Sequence, residues 1–82
     1  EAHNRLGYVY LVQGRAELAI AELTLALKQA PELATAHQSL GFALLLAGQK
    51  ERAKQAFQKV VELSPTGEMA AEAMRQLKQL NQ

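Results

Sequence analysis

Pairs of identical residues recur throughout this chain at one fixed interval. Pro31 and Pro65 stand 34 residues apart, and so do Gly7 and Gly41, Gly14 and Gly48, Leu6 and Leu40, His3 and His37, Glu17 and Glu51, and Ala19 and Ala53. A period of this length marks stacked supersecondary units, each of which buries its apolar face only against a neighbour. The 82 residues, 49% of them apolar, hold two such units and a remainder. We read one small domain over 1–82, near the lower size limit for folding alone. The first unit covers about 1–33, the second about 34–67, and a terminal helix about 67–81.

The units are helical. His3, Leu6, Gly7 and Tyr10 fall at spacings of three and four, which places them on one helix face. Gly14 closes that helix, because glycine takes the left-handed backbone of a helix C-terminus without steric cost. A second helix over about 15–30 turns Ala19, Leu23, Ala26 and Leu27 inward and stops before Pro31, since proline biases its predecessor away from helix. The second unit repeats the plan: a helix over about 32–47, a turn at Gly48, and a helix over about 50–63 ahead of Pro65. No run alternates polar and apolar residues for long enough to make a strand. The expected class is all-α, with five helices in antiparallel helix-turn-helix pairs. A mid-helix glycine costs about 1 kcal/mol against alanine, so Gly7 and Gly41 need a compensating close approach. Ala19 and Ala53 are the expected small residues opposite them.

The tail is built differently. Thr66 is the expected N-cap, with Glu68 in the first turn where a carboxylate suits the helix dipole. Ala70, Ala73, Met74 and Leu77 make one apolar stripe, and Glu68, Glu72, Arg75, Gln76 and Gln79 occupy the other side. A one-sided helix suits the last element of an open stack, whose outer face meets water.

Composition narrows the function. The formal net charge is +1, and neither unit carries the basic face that nucleic-acid binding requires. Lys50, Arg52, Lys54 and Lys59 make one helix basic, but Glu51 and Glu62 interrupt them, and no series of aromatic residues alternates with them for stacking on bases. There is no Cys, which fits a reducing or an oxidising compartment equally, so no localisation follows. The chain starts at Glu1 without Met and reads as a piece of a longer protein. His3 and His37 sit one repeat apart, too far to share an ion, so we expect no metal and no other cofactor. Ser39 and Ser64 have no Asp to complete a triad, because the chain contains none. The i, i+4 pair Glu68 and Glu72 reads as a solvated helix face. No catalytic constellation remains, and the expected protein is not an enzyme.

The residues resemble the tetratricopeptide repeat, whose pattern is W-x2-L-G-x2-Y, then A-x3-F, then P, on 34 residues. Here the pattern reads His3-x2-Leu6-Gly7-x2-Tyr10, Ala19-x3-Leu23, Pro31, and then His37-x2-Leu40-Gly41-x2-Leu44, Ala53-x3-Phe57, Pro65. His replaces Trp in both units, Leu23 replaces the aromatic in the first, and Leu44 replaces Tyr in the second. The resemblance implies a right-handed superhelix whose first helices line a concave groove for a peptide or a partner's helix. It also raises a clamp for a C-terminal carboxylate. The positions that would carry it are Asn4, Tyr8, Ser39, Met69 and Ala73, or, one repeat out of register, Arg5, Thr35 and Ser39. Neither set holds more than one cation, so that clamp is not expected.

The stretch from Leu33 to Gln49 contains no Asp, Glu, Lys or Arg. Its apolar residues surround the helix, yet His37, Gln38 and Ser39 interrupt a run already short for a membrane span of roughly 20 residues. No membrane insertion is expected. A helix apolar on two faces has a core side and a second side with another use. Phe42, Leu45 and Leu46 lie on that second side and match Tyr8, Leu11 and Val12 one period earlier. Asn4 and Gln38 precede them by one turn as neutral hydrogen-bonding groups. These eight residues are the expected protein-binding groove, with Phe42 as its central anchor, for a protein or peptide with an apolar segment. The alternative makes the chain the structural end-piece of a longer solenoid or a homo-oligomerisation module. Leu18 and Leu25, seven apart on the outward side beside Glu22 and Gln29, are a candidate patch for self-association.

Overall fold

A computed structural model describes residues 2–81. Its elements are α1 (Ala2–Val12), α2 (Ala16–Gln29), α3 (Ala34–Leu46), α4 (Lys50–Leu63) and α5 (Glu68–Leu80), with no strand among the described residues. Consecutive helices pack against each other; α1 also touches α3, and α3 touches α5, whereas α2 and α4 do not meet. Two rows result. α1, α3 and α5 form a close inner row, and α2 and α4 a splayed outer row, so the inner surface is the concave one.

The turns follow from single residues. Gly14 and Gly48 both have φ +79°. The Gly14 N–H donates to the Leu11 carbonyl at 3.0 Å and the Arg15 N–H to the Tyr10 carbonyl at 2.9 Å. Gly48 and Gln49 repeat this toward Leu45 and Leu44 at 3.0 and 2.8 Å. Both helix ends are therefore Schellman motifs, which satisfy carbonyls that the helix itself leaves free. The residues before the prolines match as well. Ala30 (φ −137°, ψ 80°) and Ser64 (φ −144°, ψ 80°) leave the helical region as a pre-proline residue must.

The mid-helix glycines are explained by contact, although not with the residues expected. A Cβ on Gly7 would lie 2.5 Å from Leu23 Cγ, and one on Gly41 2.8 Å from the Phe57 ring. Leu23 and Phe57, both fully buried, fill the space above each glycine. Ala19 and Ala53 are also buried, but the close approach belongs to the larger residue one turn on.

Two cores follow. One gathers Ala19, Leu23, Ala26, Ala36 and Ala43, the other Leu44, Ala53, Ala56, Phe57, Val60 and Ala73; Ile20 and Leu40 touch both. Leu6 and Met74, expected to face inward, are instead 39% and 48% exposed. They occupy the same repeat position as Leu40, 34 residues to either side. Leu40 lies between two outer-row helices, whereas α1 has none before it and α5 none after it in this stack. Each of the two is therefore covered on one side only. The expected cap Thr66 is also corrected: α5 starts from Gly67 at φ +98°, without a side-chain cap bond. The chain enters α5 through a left-handed residue, which leaves Thr66 one position too early.

Gly41→Ala should destabilise the protein by about 1–3 kcal/mol, because the added methyl overpacks a ring with nowhere to move. That sign opposes alanine's helical advantage of about 1 kcal/mol. Met74→Ala should cost less than about 1 kcal/mol, as for a surface position. Urea unfolding of both variants checks the pair; a stabilised Gly41→Ala would contradict the contact.

Candidate functional site

The α1 and α3 part of the inner row is nearly free of charge, whereas α5 brings Glu68, Glu72, Arg75 and Lys78. α3 carries no charged side chain, and Arg5 is the charged residue of α1.

Tyr8, Leu11, Val12, Phe42, Leu45 and Leu46 come together around one broad, shallow trough between α1 and α3, of about 660 Å³. The i, i+3, i+4 spacing on both helices turns the two triplets the same way, and the contact of α1 with α3 sets them side by side. Tyr8, Val12 and Leu46 are 57%, 68% and 53% exposed. Phe42 is only half-buried, because its ring packs edge-on against Phe57 with centroids 5.1 Å apart at 80°. It is both trough floor and part of the second core.

Asn4 and Gln38 lie further along the row, in a hollow of about 470 Å³ that Tyr8 shares and Arg5, Val9, Thr35, Ser39 and Met69 complete. Asn4 Nδ2 donates to Thr35 Oγ1 at 3.1 Å and ties α1 to α3. One period on, Gln38 and Met69 take the places of Asn4 and Thr35. The thioether of Met69 offers no comparable partner, and Gln38 Oε1 is buried without a hydrogen bond. Such a group costs about 1–3 kcal/mol. Thr35, Val9 and Met69 were absent from the expected groove set. The Asn4–Thr35 bond spans 31 residues and follows from no sequence spacing.

Other candidates are placed as follows. His3 Nδ1 meets Glu22 Oε1 at 2.6 Å across α1 and α2, so Glu22 is a half-buried partner and not part of an outward patch. His37 Nε2 donates to the Pro31 carbonyl at 2.9 Å. Each histidine thus has its own structural partner, and among the described residues no three of His, Asp and Glu gather as a metal set would. Leu18 and Leu25 are exposed on α2, away from the inner row. Glu72 accepts from Gln76 Nε2 at 3.0 Å and pairs with Arg75 on α5. Among the described residues, no helix is long and apolar enough to cross a membrane.

Antiparallel helical pairs on a 34-residue period define a helical-repeat protein. Sequence models of the tetratricopeptide repeat match residues 1–33 and 34–66. The chain belongs to the tetratricopeptide repeat family, whose repeats generally mediate protein–protein interaction. No curated protein matches the chain at a significant level.

Phe42→Ala should cost about 2–4 kcal/mol of stability through the lost contact with Phe57. Tyr8→Ala and Val12→Ala should stay within about 0.5 kcal/mol of the parent. Thermal melts of the three variants check this division. A Tyr8→Ala melt as low as that of Phe42→Ala would mean the trough is core.

Proposed function

We propose that the trough between α1 and α3 binds an apolar segment of a partner protein, as an amphipathic helix or an extended peptide. The observation that carries the reading is the joined patch of Tyr8, Leu11, Val12, Leu45 and Leu46, floored by Phe42. A contiguous exposed apolar patch on a folded protein marks an interaction surface. Aromatic residues commonly dominate such interfaces, which makes Tyr8 the exposed anchor and Phe42 its support. Asn4 and Gln38 flank the patch and supply amide groups for the partner's backbone. The orphaned Gln38 carbonyl fits a side chain that reorients when a donor arrives, since buried unsatisfied polar groups in native proteins call for such an explanation.

A random peptide library selected on the immobilised chain tests the reading. Selected peptides should carry apolar residues at helical or alternating spacing. Tyr8→Ala and Leu46→Glu should weaken their binding by about 2 kcal/mol or more, with melting temperatures unchanged. Gln38→Met should raise stability by about 1 kcal/mol, because it removes the unpaired acceptor, while weakening binding. Peptides that bind with equal affinity to the Leu46→Glu variant would place the binding surface elsewhere.

A further inference from the structure

The two repeats differ most in charge on the side turned away from the trough. At about 100° per residue, His37, Leu40 and Leu44 lie opposite Phe42, Leu45 and Leu46 on α3. With Arg52, Ala56 and Lys59 of α4 they line a hollow of about 260 Å³. Leu44 and Ala56 are buried and Leu40 is half-buried, so the floor is apolar. The rim carries two cations and, among the described residues, no carboxylate.

The first repeat fills the same place differently. One period earlier, His37, Arg52, Ala56 and Lys59 correspond to His3, Leu18, Glu22 and Leu25. There the Glu22 carboxylate meets His3 at 2.6 Å, with an exposed leucine on either side of it along α2. In the second repeat Ala56 removes that carboxylate, and His37 turns Nε2 to the Pro31 carbonyl instead. Both leucines give way to cations. The place that holds a built-in carboxylate in one repeat is thus vacant of it and positive in the other.

The two charges are available to a partner. Arg52 Nη1 donates to Gln49 Oε1 at 2.6 Å, a neutral acceptor that leaves the guanidinium charge uncompensated. Lys59 stands 3.7 Å from Glu62 with both side chains well exposed, and a solvated pair of this kind holds little energy. Glu51, the other carboxylate of α4, pairs with Lys54.

Spacing states the occupant. Arg52 and Lys59 are seven residues apart, which is two turns or about 10 Å along the helix. Two carboxylates seven apart on a partner helix stand at the same separation. An apolar residue midway between them then meets Leu40, Leu44 and Ala56. Nucleic acid suits the cations but not the apolar floor, and among the described residues no aromatic side chain lines the hollow for base stacking.

We propose that this hollow docks an acidic helix of a partner protein, with one apolar side chain in the hollow and one carboxylate on each of Arg52 and Lys59. It shares no residue with the trough, and the inference holds whether or not the trough binds a peptide.

The probe is an alanine-based helical peptide with two Glu seven residues apart and a Leu midway, titrated into the isotopically labelled 82-residue chain. Backbone amide signals of His37, Leu40 and the segment from Arg52 to Lys59 should shift, and those of Tyr8 and Val12 should not. Combining Arg52→Gln with Lys59→Gln should weaken binding by about tenfold or more. Both residues are exposed, so the melting temperature should stay within about 3 °C of the parent. A charge swap gives a readout that a structural role would not move: the chain with Arg52→Glu and Lys59→Glu should prefer the peptide whose two Glu are replaced by Lys. Equal binding of a control peptide with Gln at both Glu positions would overturn the proposal, as would shifts confined to the trough. So would a single-stranded oligonucleotide that moves the same signals at the peptide's concentration, because the face would then serve polyanions in general.

Discussion

The close approach of helices at Gly7 and Gly41 is the contact on which the rest depends. Leu23 and Phe57 occupy the volume a Cβ would take, and this lets each pair of helices close on itself with a large side chain between them. Once Phe57 is fixed there, its ring presents an edge to Phe42, and through Phe42 the floor of the trough is tied to the second core. A site built on rigid helices and supported from below in this way keeps its shape without a ligand.

Much of this was legible in the sequence because repeats write their structure twice. The prolines and glycines fixed where helices stop, and the observed bounds differ from those expected by two residues or fewer. The i, i+3, i+4 triplets put six residues on one side of α1 and α3, and these six line one trough. What escaped the reading has one physical source, namely that burial in a stack depends on neighbours. Leu6, Leu40 and Met74 look alike as a periodic pattern, but only Leu40 has an outer-row helix on both sides. The same holds for polar partners. His3 finds Glu22 nineteen residues on, and Asn4 finds Thr35 thirty-one residues on, distances over which no local pattern speaks. Thr66 was a reasonable cap by residue type, and the left-handed Gly67 displaced it.

The difference between the two repeats is as informative as their likeness. Asn4 and Thr35 form a hydrogen bond, whereas their successors Gln38 and Met69 do not, the thioether being only a weak acceptor. The first junction of the inner row is therefore closed by a polar link, and the second is left with an unsatisfied acceptor. A repeat protein relaxes its rules where a position has a second use, and Gln38 borders the surface proposed here to bind a partner.

The order of contacts also bears on how the chain folds. No helix touches another more than two places along the sequence, so contacts close short loops and little entropy is lost before the first of them forms. Chains of low contact order fold quickly, and in stacked repeats folding can begin in any unit. Here the two starting points are unequal. The second hairpin closes on a phenylalanine that already has an aromatic neighbour within its own pair, Phe42. The first closes on a leucine and borrows its outer cover from α3. Nucleation in α3–α4, spreading outward to both ends, is the route these contacts favour.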